Sequence, residues 1–293
     1  MNMMTEEQAQ KYLEQLRWPT GPQCPHCKLH QVTRIKGKRA RWFQCNRCRK
    51  QFSVTVGTIF ERSHVPLNKW VMAFQWLCAS KKGISALQIA RMLGVSYKTA
   101  WFMCHRIRHA MKRTNAPMMT GIVEIDETYV GGKENSPVGR STKKKTPVVA
   151  VIQRNGDART RVVKSVTAKN LKKVLTDNVD IESRIMSDDF MSYRHLDEVF
   201  ADHQAVKHGK KEYVRGEAHV NTCESFFSLL KRGVVGSFHH VSREHLHRYA
   251  DEFSFRWNTR RGTDGERTAV ALQLADGKRL MYRTLTNEKT AKN

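Results

Sequence analysis

Apolar positions change period repeatedly along the chain, and each change marks a new kind of element. From Pro66, PLNKWVMAFQWLCASKK puts Trp70, Phe74 and Leu77 at helical spacing, with Pro66 suited to a first turn. KKGISALQIARMLGVSYKTAWFMCHRIRHAMK then predicts helix, turn, helix. Ala86, Ile89, Ala90 and Leu93 line the first helix, Gly94 ends it, and Ser96 caps a second carrying Tyr97, Trp101, Cys104 and Ile107. After TNAPMMT the period becomes that of strands. GIVEIDE is a β-rich run ending at Asp126-Glu127, and VVAVIQR and RVVKSVT form a hairpin turned at Asn155-Gly156. GGKENSPVGRSTKKKTP between them reads as a basic loop. AKNLKKVLTDNV is a helix, SRIMSDDF a short strand, and MSYRHLDEVF a further helix. Two amphipathic, aromatic-rich helices follow, within HVNTCESFFSLLKRG and HLHRYADEFSFRWNTR. Tyr249, Phe253 and Trp257 recur there every four residues as core positions. TAVALQLADGKRLMYRTL predicts a last helix and strand to which no chemistry attaches.

Composition narrows the class. The chain has 293 residues, enough for a sizeable core, and 52 Lys and Arg against 27 Asp and Glu give a formal charge of +25. That excess steers the protein toward a polyanion, nucleic acid before an anionic membrane surface. No apolar run is long enough to span a bilayer. MNMMTEEQAQKYLEQL lacks a basic segment followed by an apolar one, so a cytoplasmic protein is expected, with no membrane association.

Of the 7 cysteines, Cys78, Cys104 and Cys223 are scattered, as buried spectators would be. The other four form two CxxC pairs, Cys24 with Cys27 and Cys45 with Cys48, 17 residues apart. Two such turns close a tetrahedral zinc site, so one structural zinc per chain is expected in a zinc ribbon. The text between the pairs suits two short strands and a basic turn, and KQFSVTVGTIF continues strand-like beyond them. With four thiolates completing the site, His26 and His30 are left facing solvent or DNA. Lys36, Lys38, Arg39 and Arg41 would meet phosphates. If the helical pair is a helix-turn-helix, Ser96, Tyr97, Lys98 and Thr99 approach base edges, and Arg106, Arg108 and Lys112 lie nearer phosphates. A plain helical hairpin is the alternative.

The acids carry the candidate chemistry. Asp126 ends one strand and Asp188 another, and adjacent parallel strands would bring those ends together. A late helix would bring Glu224 from the side. Three converging carboxylates repel unless divalent cations hold them, and oxygen donors favour Mg²⁺ or Mn²⁺. Alternation puts Glu124 on the side of Asp126 and Glu127 on the other. Glu124 is read as solvent-facing with an auxiliary role as its rival, and Asp189 as the cap of the next helix. His219, His239, His240, His245 and His247 match no strong metal template and suit phosphate or substrate contacts. Lys231, Arg232, Arg248, Arg256 and Arg260 would make that surface positive.

IDETYVGGK, SDDFMSY and HVNTCESFFSLLKRGVVGSFHHVSREHLHRYADEFSFRWNTR resemble the signature blocks of bacterial insertion-sequence transposases. The group is the DDE type with an N-terminal zinc ribbon and a ribonuclease-H-like catalytic domain, the ISXO2-like transposases. The resemblance spans roughly residues 17 to 260. It implies an α/β fold: a ribbon over 17–60, a helix-turn-helix-like region over 64–115, a mixed-sheet catalytic domain over 119–262, and an extension over 263–293. It makes Asp126 and Asp188 the first two catalytic acids and leaves Glu224 or Asn221 for the third position. Glu224 is preferred because Lys231 follows it by seven residues, as a basic residue does in the family. Asn221 would ligate or hold Glu224. The implied reaction is metal-dependent cleavage of element ends and strand transfer into target double-stranded DNA, with two Mg²⁺ or Mn²⁺ ions bridged by Asp126. Working on two ends implies a homo-oligomer on DNA. A zinc-ribbon regulator would leave the acids idle, and a metal-dependent nuclease would use them without joining.

Overall fold

The computed structural model describes residues 4–131, 145–206 and 214–287. Most of the expected Gly- and Lys-rich loop and the end of QAVKH lie outside them. The chain divides into two compact units, one of Met1–Lys112 with Gly262–Asn293, the other of Arg113–Arg261. No helix among the described residues is long and apolar enough to cross a membrane.

The first unit opens with a helix that the sequence pattern above does not predict, α1 (Glu6–Arg17), started by a Thr5–Gln8 capping box. A three-stranded antiparallel sheet follows, β1 (Val32–Arg34), β2 (Phe43–Cys45) and β3 (Gln51–Phe52). Its strands are short, and the strand-like text beyond Phe52 folds as turns around Val54 and Ile59. Trp18 packs edge-on against Phe43 and Phe52, filling a core that a ribbon of this size lacks by itself. Helices α2 (Leu67–Ala79), α3 (Ala86–Leu93) and α4 (Tyr97–Met111) match the helical periodicity. Gly94 closes α3 in the left-handed conformation, φ 59, and the Ser96 side chain accepts the Thr99 amide to start α4. The C-terminal segment returns to this unit as α8 (Asp264–Gln273), which packs on α2 and α1. It ends in a short helix, α9 (Tyr282–Asn287), where a strand was expected.

Two arginines of α4 correct the expectation of a phosphate-facing surface. Arg106 and Arg108 are only 6% and 2% exposed. Arg106 donates to the carbonyls of Glu61 (2.9 Å) and Leu280 (3.1 Å), tying α4 to the turn after the ribbon and to the C-terminal segment. A guanidinium offers five donors in a rigid fork, which lets one side chain bridge two carbonyls from separate segments.

The second unit is a five-stranded mixed sheet in the order β6-β5-β4-β7-β8. β4 (Ile122–Val130), β5 (Thr146–Gln153) and β6 (Ala158–Val162) are antiparallel, whereas β7 (Arg184–Asp188) and β8 (Asp202–Val206) run parallel to β4. Asn155 turns the β5–β6 hairpin at φ 59. Along β4, Val123 and Ile125 face a core with Leu171, Val174 and Leu175 of α5 (Ala168–Thr176). The opposite face packs on α6 (Asn221–Gly233) and α7 (Leu246–Asn258) through Ala150, Met186, Cys223, Phe226 and Phe253. This α/β arrangement with a non-barrel mixed sheet is the ribonuclease-H-like type expected. MSYRHLDEVF yields only a 3-10 turn, Met191–Tyr193, followed by turns.

Candidate functional site

The four thiols of the ribbon form a closed donor set. Their sulfur atoms all lie within 4.8 Å of one another, with Cys24 to Cys48 at 3.7 Å and Cys27 to Cys45 at 3.5 Å. Zn–S bonds of about 2.3 Å in a tetrahedron put sulfurs roughly 3.8 Å apart, so the cluster fits a structural zinc. The Cys48 amide lies 3.5 Å from the Cys45 sulfur. That amide, opposed by burial and helped by the Arg47 amide, lowers the Cys45 thiol to about 6 and favours the thiolate. His26 and His30 are not ligands of this set, and His30 is exposed.

In the second unit the strand reading of the acids can be followed atom by atom. β4 and β7 are adjacent and parallel, with Ile122 opposite Arg184 and Glu124 opposite Met186. Continuing that register by two residues sets Asp126 opposite Asp188. Glu124 and Met186 lie against α6 (Met186 in its core), so strand alternation sends Asp126 and Asp188 to the same face. Asp126 and Asp188 are half-buried, and Glu224 is exposed in the first turn of α6. Burial first, and then repulsion by Asp188, raises the Asp126 carboxyl to about 8, with Glu127 and Glu224 adding to the rise. The three carboxylates therefore share one field. They are a looser group than the thiols, because among the described residues only the cysteines bring three or more donors within 4.8 Å.

Backbone amides orient two of these acids. Asp126 Oδ1 accepts from the Glu127 amide at 2.7 Å, and Asp188 Oδ1 from the Phe190 amide at 3.1 Å. The latter bond corrects the expectation for Asp189, since Asp188 organises the turn and the 3-10 helix has no side-chain cap. Asn221 begins α6 and is exposed, and Lys231 is exposed two turns beyond Glu224. On the far face of the sheet, the buried Tyr193 hydroxyl donates to Glu127 at 2.6 Å. Burial raises the Glu127 carboxyl, and the field of Asp188 raises it further.

Glu124 departs most from the sequence reading. It is fully buried and not solvent-facing, paired with Arg154 at 2.8 Å and bonded to the start of α6. An acid within a β-branched run was the available signal, but its partners Arg154 and Thr222 are remote in sequence. Arg248 and Arg256 are likewise interior, at 4% and 6% exposure. Arg256 pairs with buried Glu252 at 2.5 Å, so of the five expected cations these two do not line a surface. Arg260 lies over the Trp257 ring, 4.5 Å from its centroid. His245 is buried and its Nδ1 lies 3.1 Å from Arg248, whereas His239 and His240 are exposed.

The family described as the ISXO2-like transposase domain matches residues 118–258. The transposase zinc-ribbon domain matches residues 4–51, taking in α1 as well as the four cysteines. A protein of Halobacterium salinarum, described as an uncharacterized protein in transposable element ISH50, is 31% identical over 290 residues, covering 93% of this chain and 97% of the relative. Solved structures that match include two complexes of Mos1 transposase. The Mos1 transposase paired-end complex with left transposon end is 14% identical, covering 71% of this chain and 80% of that one at a TM-score of 0.24. The Mos1 strand transfer complex is 13% identical, covering 71% and 78% at 0.25. Superpositions that weak carry no argument. The near full-length relative and the two family matches do: the chain belongs to the ISXO2-like transposases, DDE-type enzymes of insertion sequences with a four-cysteine zinc ribbon ahead of a ribonuclease-H-like catalytic domain.

Proposed function

We propose that Asp126, Asp188 and Glu224 are the catalytic acids of this transposase and hold its divalent cations, Mg²⁺ or Mn²⁺, during cleavage and joining of double-stranded DNA. The observation that carries the reading is the register of β4 and β7. It sets two acids side by side on the face that α6 covers, where Glu224 adds a third negative field. All-oxygen donors in a half-buried setting fit hard divalent cations. Bound there, two such ions supply Lewis acidity for in-line phosphoryl transfer, activating water or a DNA 3′-hydroxyl and stabilising the leaving oxygen.

The chain's own groups divide the remaining work. The Glu127 amide holds one oxygen of Asp126 and the Phe190 amide one oxygen of Asp188, which fixes the direction of both carboxylates. Lys231, on the same helix as Glu224, offers a charge to a phosphate near the site, and Asn221 a neutral oxygen or a brace for Glu224. In the first unit, exposed Tyr97 and Lys98 at the start of α4, with Ser96 before them, are the groups placed to read a major groove. Arg106 and Arg108, expected near phosphates, are buried and withdrawn from that contact. The ribbon over 17–60 and the helices over 64–115 are assigned to end recognition, and 119–262 to catalysis. Two element ends and a target call for more than one copy of the chain on DNA.

The test uses purified protein, a labelled duplex bearing the element's own ends, and Mg²⁺ or Mn²⁺. Metal-dependent nicking and end joining should vanish in Asp188→Asn while DNA binding remains. Loss in Glu224→Gln with survival of Asn221→Ala identifies the third acid, and the reverse assigns it to Asn221. Tight binding without cleavage in either metal would leave a zinc-ribbon DNA-binding protein, and cleavage without joining a nuclease.

A further inference from the structure

We infer that Glu124 is a positioning residue, the clamp that fixes α6, and with it Glu224, against the strand carrying Asp126. The inference rests on the catalytic reading above. α6 begins without a side-chain cap of its own, since its N-cap residue is Val220. Its first amides are met from the sheet instead. Glu124 Oε2 accepts from the Thr222 amide at 2.8 Å and the Cys223 amide at 3.2 Å. Oε1 accepts from the Thr222 hydroxyl at 2.8 Å and from Arg154 Nε at 2.8 Å, with His219 Nδ1 at 3.3 Å. Arg154 in turn donates to the Glu217 and His219 carbonyls, at 2.7 and 3.2 Å, holding the segment that leads into the helix.

Two consequences follow from these distances. A carboxylate has about four lone-pair sites, and four donors fill those of Glu124, so it has nothing left for a cation. Its auxiliary role is therefore indirect. A serine or aspartate at the N-cap would satisfy the helix alone, whereas Glu124 satisfies it from the strand. One carboxylate links a point two residues before Asp126 to a point two and one residues before Glu224. The helix N-terminus, which carries partial positive charge, favours an anion there. Cys223 is fully buried beneath, in the core that joins α6 to the sheet.

The experiment compares full-length wild type with Glu124→Gln and Glu124→Asp. The amide places an NH₂ among donors, and the aspartate keeps its charge beside Arg154 but falls one methylene short of the helix. Hydrogen exchange of a peptide covering 220–226 should quicken about ten-fold or more in both variants, while ribbon and β5–β6 peptides stay unchanged. The Mn²⁺ concentration for half-maximal nicking should rise by roughly ten-fold, the scale of lost support behind metal ligands, with DNA affinity within about two-fold of wild type. Wild-type exchange at 220–226 in Glu124→Asp, or an unchanged Mn²⁺ requirement at reduced activity, would overturn the inference. So would global unfolding of both variants, which would make Glu124 a general folding residue. Should wild type show no metal-dependent cleavage, the catalytic reading fails, while the exchange comparison still decides whether Glu124 clamps α6.

Discussion

Asp126→Asn should stabilise the protein at high pH, and the size of the effect follows from the site. In the unfolded chain Asp126 ionises near 3.8, whereas in the fold it keeps its proton up to about 8. Across that window the folded state binds more protons, so the group's favourable contribution is full below about pH 4 and is lost as pH rises through 8. Each unit is worth about 1.4 kcal/mol, so ionising Asp126 between pH 5 and pH 8 costs about 4 kcal/mol. Asp126 is only half-buried, so water reaching the new charge offsets part of this and leaves at least about 2 kcal/mol as the expected difference. Asparagine keeps the shape and removes the titration. Urea unfolding without added divalent cation should show the variant gaining on wild type by that amount from pH 5 to pH 8. Mg²⁺ at a hundred times its Kd should then raise wild type at pH 8 by about 2.7 kcal/mol and leave the variant unmoved. Parallel stabilities at both pH values would refute the reasoning, because Asp126 would then be neither desolvated nor in the field of Asp188.

Two structural predictions stand beside it. Cys24→Ser should abolish zinc retention, measured as metal per chain, and expose ribbon peptides to hydrogen exchange while the sheet of the second unit stays protected, since the ribbon's sulfur cluster holds that small fold together. Gly233→Ala should lower the unfolding free energy by about 1–3 kcal/mol, because a Cβ there would come within 2.0 Å of buried Phe253. Phe253→Leu in the same chain should recover part of that loss in denaturant titrations.

Much of this was legible in the chain because it is local. Helical spacing, Gly94 and Ser96 specify α2 to α4, Asn155-Gly156 specifies the hairpin, and the doubled CxxC specifies the metal site, each within a few residues of itself. Asp188, at the end of its strand, could be singled out for the same reason, whereas Asp126, also expected at a strand end, lies inside β4, which runs on to Val130. What failed was the environment of charged side chains. Arg106, Arg108, Arg248 and Arg256 look like surface cations in a chain of +25, yet each is buried. Arg106 finds its Leu280 carbonyl in a part of the chain 174 positions away. Glu124 shows the same limit more sharply. Alternation gives the side of the sheet it faces, but only packing of α6 decides whether that side is water or a helix N-terminus.

The sequence by itself determined most of the elements (though not α1 or the short helix α9), the thiol set, the three candidate acids and the excess of positive charge, all properties of residue type and short spacing. Tertiary structure alone decided that β4 and β7 are parallel neighbours, that the C-terminal helix α8 packs on α1 and α2, and that Glu124 joins a strand to a helix. Those facts depend on contacts between residues tens to hundreds of positions apart, and hydrophobic burial and hydrogen-bond satisfaction select such contacts only once the whole chain is folded.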